Sequence, residues 1–154
     1  MHYWLLKSEP DVFSIDDLRA RPGGTEPWEG VRNYEARNLL RDELKKGDLA
    51  FFYHSSCKTP AIVGIMEIVR EGYPDPSAFI PKHKYYDPRS KPENPAWYLV
   101  DVNFRRKLKR VIALTELRDQ RPLQNMKLLQ KGNRLSVMPV TKKEWEYILG
   151  LEQA

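Results

Sequence analysis

The segment PWEGVRNY, residues 27–34, combines the side chains that a nucleobase site needs. Trp28 is flanked by a proline and a glycine, so the sequence predicts that its indole projects from a turn. Arg32, Asn33 and Tyr34 follow closely along the chain. A flat ring that stacks, together with polar groups that read an edge, is what an unpaired or flipped base requires. The turn is therefore predicted to form one wall of a base-binding pocket.

Lys7, Ser8 and Glu9 lie together at the predicted end of the first strand and permit a second interpretation. Such groups can carry acid–base catalysis, although a glutamate before a proline is more typical of a structural hydrogen-bond acceptor. No G-x-S-x-G elbow frames a serine, and the sequence contains neither a Walker A motif nor a G-x-G-x-x-G fingerprint. We expect a binding module that is not an enzyme, with a small hydrolase as the alternative.

A metal site is not indicated by the cysteine and histidine spacing. His54 and Cys57 form one close pair, whereas zinc sites usually need two such pairs. We therefore expect no metal or other cofactor, and we expect His54 to hydrogen-bond in the pocket or the core. Cys57 is the only cysteine, which excludes an internal disulfide and suits a reducing compartment.

Length and composition favour one domain, residues 1–154, because 41% hydrophobic residues suffice for a single core. No apolar run approaches a membrane span, and the first residues lack the pattern of a signal peptide. The expected location is the cytoplasm, or the nucleus in a eukaryote. The net charge of +5 is concentrated in the last third of the chain, densest between Arg105 and Arg110. This basic stripe predicts either a surface that attracts phosphates or a solvated strand face.

The first half of the chain predicts strands separated by short helices. Residues 3–7, 49–53 and 61–69 have the apolar character of buried strands, and Gly64 indicates a bulge or a close backbone approach. Ser14 is predicted to cap one helix, with an acidic residue three positions later, and Asn33 is predicted to cap another.

The second half begins with a proline-rich segment, residues 71–96, which predicts a long loop whose aromatic residues pack against the domain. A strand is predicted from residue 97 to about residue 114, followed by a helical turn capped by Thr115. A helix over 123–131 and a short strand over 134–138 come next. Thr141 then caps a final helix that Gly150 should end. Parallel βαβ repetition is absent, so the prediction is an α+β fold built on a small mixed β-barrel.

Several sequence blocks resemble the EVE-domain family: WLLKSEP at 4–10, WEGVRNYEARN at 28–38, GDLAFFYHS at 47–55, YYDPRS at 85–90 and RLSVMPV at 134–140. The resemblance spans nearly the whole chain in family order. It implies a PUA-like β-barrel surrounded by short helices. It also implies a pocket for a modified base in DNA or RNA, such as methylated or hydroxymethylated cytosine or methylated adenine.

The resemblance also implies which side chains line that pocket. They come from two strand ends, from the turn that leads into the second helix, and from the last strand: Lys7, Ser8, Glu9, Trp28, Arg32, Asn33, Tyr34, Arg37, Tyr53, His54, Ser55, Arg134, Leu135 and Ser136. Alternative roles are surface charge for Arg32 and Arg37, or an ion pair of Arg37 with Glu9. An interaction domain with an unused pocket is a third hypothesis for the whole chain.

Overall fold

A six-stranded mixed sheet organises the computed structural model, which describes residues 1–154. Its strands are β1 (Tyr3–Ser8), β2 (Thr25–Pro27), β3 (Leu49–His54), β4 (Ala61–Pro74), β5 (Tyr98–Ala113) and β6 (Val137–Val140). Their order is β2-β5-β4-β3-β1-β6, in which β1 and β3 are parallel and all other neighbours are antiparallel. The predicted mixed α+β fold is confirmed, with β2 and β6 at the two edges of the sheet rather than paired with each other.

Four short α-helices surround the sheet: α1 (Ile15–Ala20), α2 (Tyr34–Asn38), α3 (Leu114–Arg118) and α4 (Lys142–Leu151). Ser14 and Thr141 each form the predicted capping box at the start of α1 and α4. The Asn33 side chain accepts a hydrogen bond from the backbone N–H of Ala36, which confirms it as the cap of α2. A bilayer could not be crossed by any of these helices, because none is both long and apolar enough.

Apolar side chains cover both faces of the sheet. Because side chains alternate along a strand, Leu6 and Phe52 enter one core cluster while Leu5 and Phe51 enter the other. Continuous apolar runs in β1 and β3 are the sequence signature of strands buried on both sides. With both faces occupied, a binding site at this part of the sheet must lie beyond the strand ends.

Gly64 is the position where the sheet and α1 approach most closely. A Cβ atom there would lie 2.0 Å from Ile15 Cδ1 and 2.7 Å from the backbone oxygen of Arg106. The registers of β3 with β4 and of β4 with β5 both shift next to this glycine. The predicted bulge or close approach is therefore confirmed.

Four predicted element boundaries and one predicted helix cap are wrong. β4 continues to Pro74 because it pairs with β5, so the loop begins at residue 75. Residues 123–131 form two 3₁₀ turns rather than a helix, since the extended backbone of Met126 separates them. The last strand begins at Val137 rather than 134, and α4 runs through Gly150 to Leu151. Thr115 lies inside α3 and does not cap it.

Candidate functional site

The carboxyl ends of the parallel strands β1 and β3 meet at one end of the sheet. Ser8 pairs with His54 in register, and the N–H of Ser55 donates to the carbonyl of Ser8 at 3.0 Å. On the other side, the N–H of Lys7 donates to the carbonyl of Ser136 at 2.8 Å. A cavity of about 610 Å³ opens between these segments. Its volume is in the range of small-molecule sites, about 300–1,000 Å³.

Eight of the predicted site residues line this cavity: Lys7, Ser8, Glu9, Trp28, Arg32, Ser55, Arg134 and Ser136. The structure therefore brings these predicted strand ends and the predicted turn together around one cavity. The remaining wall comes mainly from the 12–13 and 26–31 segments and from the loop between β4 and β5.

Trp28 lines the cavity from within the hydrophobic core. Its indole is 6% exposed and packs edge-on against Phe52, with ring centroids 5.3 Å apart. The expectation that it projects freely from a turn is wrong, because β2 pairs with β5 and the N–H of Trp28 donates to the carbonyl of Val100 at 2.8 Å. This pairing anchors the turn on the sheet and directs the ring inward, where it forms part of the cavity wall.

Tyr85 is a cavity residue that the sequence analysis missed. It belongs to the loop 75–97 and is half-buried against Gly30, whose φ is +87°. A Cβ at Gly30 would lie 2.4 Å from Tyr85 Cζ, so only glycine permits this contact. The glycine in the WEG turn was the available signal for a close approach, but its partner lies 55 residues further along the chain.

Arg32 braces the wall that carries Tyr85. Its Nη1 donates to the carboxylate of the fully buried Asp75 at 3.1 Å, and its Nη2 donates to the carbonyl of Tyr85 at 2.7 Å. Asp75 also accepts from the N–H of Gly30 and from the N–H and hydroxyl of Ser77. The guanidinium is thus engaged inside the protein, and its geometry is that of a structural brace beside the cavity.

Lys7, Ser8 and Glu9 provide the polar groups at the strand end. Burial lowers the pKa of the Lys7 ammonium, which forms no ion pair. The Ser8 hydroxyl donates to the carbonyl of Phe13 at 2.6 Å, so its proton is already committed. The Glu9 side chain is exposed at the cavity, while its backbone carbonyl accepts from the N–H groups of Val12 and Phe13. The cavity therefore offers a cationic donor and a carboxylate acceptor on the same strand end.

Three predicted pocket residues at the start of α2 lie outside the cavity. The side chain of Asn33 is used as the helix cap. Tyr34 stacks on Trp97 with ring centroids 4.7 Å apart and remains 57% exposed. Arg37 donates to the carbonyl of Ala96 at 2.6 Å, rather than pairing with Glu9 as one alternative held. The prediction that these three line the cavity is wrong, because Tyr34 and Arg37 contact the loop that follows β4 and Asn33 lines a separate, smaller cavity.

The last three predicted pocket residues, Tyr53, His54 and Leu135, also lie outside the cavity, because their backbone positions direct the side chains away from it. Tyr53 points into the second core cluster, where burial raises its pKa to about 12. His54 Nε2 accepts from the N–H of Ile15 at 3.1 Å, and burial lowers the pKa of its imidazole. Leu135 packs against the partly buried edges of both clusters. No cluster of three or more potential metal ligands is present in the chain.

Four of the five cations in the basic stripe on β5 form ion pairs within the molecule. Its arginines pair with glutamates: Arg105 with Glu67, Arg106 with Glu152 and Arg110 with Glu116. The lysines of the stripe contact Asp16 and Gln153. The stripe therefore forms a solvated strand face whose arginines are paired with glutamates.

The fold and the site together define a small mixed-sheet domain with a cationic, partly aromatic cavity beyond the ends of its parallel strands. The chain matches the EVE domain over residues 2–151, and it belongs to that family. Thymocyte nuclear protein 1 from Gallus gallus is 49% identical over 168 residues, covering 98% of this chain and 69% of the relative. The Homo sapiens protein of the same name is 47% identical, covering 98% of this chain and 74% of the relative.

Solved structures share the whole architecture. The crystal structure of human THYN1 protein in complex with 5-methylcytosine-containing DNA has a TM-score of 0.96 and 47% identity, covering 100% of this chain and 99% of that chain. A crystal structure of a protein from Pseudomonas syringae has a TM-score of 0.92 and 50% identity, covering 97% of this chain and 99% of that one.

Proposed function

We propose that the cavity binds a modified cytosine that is extruded from DNA. The observation that carries the proposal is the composition of one cavity, in which aromatic walls, a half-buried lysine and an exposed carboxylate converge at the strand ends. The similarity to human THYN1, solved with 5-methylcytosine-containing DNA, supports cytosine as the base and DNA as the polymer.

Stacking would supply most of the affinity for the base. Tyr85 and Phe13 are half-buried aromatic residues of the cavity, and the buried Trp28 is part of the same lining. Stacking on an aromatic side chain is worth about 1–3 kcal/mol per base. An additional methyl group in an apolar pocket contributes about 1–3 kcal/mol of discrimination. A wall backed by a buried indole suits that second contribution because it excludes water.

The polar groups suit the edge of cytosine. A carboxylate such as that of Glu9 accepts from the exocyclic amino group of cytosine. The Lys7 ammonium has three donors and no acceptor, so it complements the ring nitrogen and carbonyl oxygen on the same edge. Partial burial strengthens the contact of Lys7 because fewer water molecules compete for it. Methylated adenine also carries an amino group, and it is the base against which this selectivity is to be measured.

We propose binding rather than hydrolysis as the activity of this site. A serine nucleophile needs a base within hydrogen-bond reach, whereas the Ser8 hydroxyl donates to a backbone carbonyl. We expect no acid release when the protein is incubated with acylated cytidines. Turnover that disappears in Lys7→Ala and Glu9→Ala variants would instead establish the hydrolase alternative.

Fluorescence anisotropy with matched oligonucleotides tests the proposal. Strands of one sequence carry cytosine, 5-methylcytosine, 5-hydroxymethylcytosine or N6-methyladenine at a central position, each as DNA and as RNA. We expect 5-methylcytosine DNA to bind about 10–200-fold more tightly than its unmodified partner, the range for one methyl group in an apolar pocket. Equal affinities for modified and unmodified strands would refute the proposal, and a preference for the RNA series would reassign the polymer.

Two tyrosines provide a matched pair of variants. Tyr85→Ala removes a ring from the cavity wall, and we expect it to weaken binding about 5–150-fold, equivalent to roughly 1–3 kcal/mol. Tyr34→Ala removes an exposed ring that stacks on Trp97 outside the cavity, and we expect less than a twofold change. The reverse ranking would place the base at α2 instead.

A further inference from the structure

A second, smaller cavity lies beside the first one. Its volume is about 380 Å³, and it runs between the start of α2 and the segment 127–135. We call it the basic groove and define it by Lys127, Lys131 and Arg134, with Glu35 as its acidic member. Arg134 lines both cavities, so the two are contiguous at this side chain.

The charges of the basic groove are free, in contrast to those of the β5 stripe. Lys127, Lys131 and Arg134 are exposed, and none of them has an ion pair or a side-chain hydrogen bond in the structure. Three cations against one carboxylate leave the groove positive. On the surface that the linear sequence marked as most basic, four of the five cations form ion pairs, whereas all three cations of the groove beside the cavity are unpaired.

The segment that carries these cations is held in place by amide side chains. Asn133 Nδ2 donates to the carbonyl of Lys127 at 2.7 Å, and Asn133 Oδ1 accepts from the N–H of Leu135 at 3.0 Å. Gln130 Nε2 donates to the carbonyl of Met126 at 3.1 Å. These contacts hold the backbone that carries the three cations in place before any ligand arrives, which lowers the ordering cost of binding.

We propose that the basic groove binds the backbone phosphates of DNA next to the base that occupies the larger cavity. The inference rests on the proposed function. An extruded nucleotide remains covalently joined to the phosphates on either side, so those phosphates must lie close to the mouth of the base cavity. The groove that opens at Arg134 is positive, exposed and contiguous with that cavity. The β5 stripe does not contact the polymer in this arrangement.

Salt dependence of binding tests the groove directly. Each neutralised phosphate contributes about 0.7–0.9 to the slope of log K against log salt concentration. We expect the Lys127→Gln, Lys131→Gln double variant to lower the slope by about 1.5 and to weaken binding to modified and unmodified strands equally. When the salt concentration rises from 50 to 200 mM, the double variant should therefore lose about tenfold less affinity than the wild type. Glu35→Gln should have the opposite effect and strengthen binding.

The matched control is a Lys107→Gln, Lys109→Gln double variant on the β5 stripe. It removes the same number of charges from lysines that contact Asp16 and Gln153. We expect its slope to equal that of the wild type. A slope that falls in this variant and not in the groove variant would overturn the inference.

Uncharged methylphosphonate linkages beside the modified base give an independent measurement that needs no protein variant. They should weaken wild-type binding more than binding of the groove variant, because that variant has lost two of the three cations that contact the phosphates. Preference for the modified base with no effect of these linkages would refute the groove while leaving the proposed function intact. Failure of the wild-type protein to distinguish modified from plain strands would remove both proposals.

Discussion

The Asp75→Asn substitution is a sharp test of how the cavity wall is built. Asp75 is fully buried, and both of its carboxylate oxygens accept twice. Oδ2 accepts from the N–H of Gly30 and from Arg32 Nη1, each at 3.1 Å. Oδ1 accepts from the N–H of Ser77 at 2.9 Å and from the Ser77 hydroxyl at 2.6 Å.

An asparagine cannot reproduce this pattern in either orientation. Its amide nitrogen donates and does not accept, so one pair of donors would face another donor whichever way the side chain is flipped. The substitution also leaves the Arg32 guanidinium without its anionic partner. Breaking a buried ion pair by removing one member costs about 3–5 kcal/mol, and the 22% exposure of the Arg32 side chain places the expected loss at the lower end, about 3 kcal/mol.

Urea denaturation followed by circular dichroism measures this loss. In a thermal melt of a domain of this size, a loss of about 3 kcal/mol lowers the Tm by roughly 6–12 °C. Arg89→Ala is the control, because the Arg89 side chain is 86% exposed and its removal should change stability by less than about 0.5 kcal/mol. If Asp75→Asn were as stable as the wild type, the loop would be held by something other than this carboxylate.

Three further predictions concern single positions. Burial lowers the pKa of His54 in the folded state below its usual value of 6.5, so its contribution to stability is present above that pH and is lost as pH falls below it, by at most about 1.4 kcal/mol per pH unit. The decrease between pH 7.5 and 5.5 should be smaller in His54→Gln, and identical pH profiles would contradict this. Gly64→Ala should cost about 1–3 kcal/mol because the new Cβ meets a backbone carbonyl at 2.7 Å, whereas Gly150→Ala, with open space around it, should gain up to about 1 kcal/mol in the same thermal melts. Gly30→Ala should displace Tyr85 and weaken binding of the modified strand at least as much as Tyr85→Ala does. Unchanged affinity would show that the Tyr85 ring does not contact the bound base.

Features whose cause is local could be predicted from the sequence. The capping boxes at Ser14 and Thr141 need only residues three positions apart, and both are present in the structure. The strand ends near Ser8 and His54 were also predictable, because buried apolar runs end there. These two ends supply one side of the cavity, which is why several predicted polar residues of that side line it.

Features set by distant partners could not be predicted in the same way. β2 has three residues and exists because it pairs with Asp101–Asn103 on β5. That pairing turns Trp28 inward, and nothing in the neighbouring sequence specifies its direction. The prolines of the 75–97 loop indicated a long connection, but the contact of Tyr85 with Gly30 depends on the buried carboxylate of Asp75.

The same loop has a consequence for the nucleic acid. Asp75 fixes its beginning, and Asp87 accepts from Trp97 Nε1 at 2.7 Å near its end, so this long connection is anchored at both sides. Because the loop is anchored at both sides, we expect the DNA rather than the loop to change shape when a base enters the cavity. Extruding a base costs a few kcal/mol and least where the base is mismatched or already unpaired. Under the proposed function, we therefore expect the apparent affinity to follow the local melting tendency of the surrounding helix, so that a modification opposite a mismatch is bound more tightly than the same modification in a fully paired duplex.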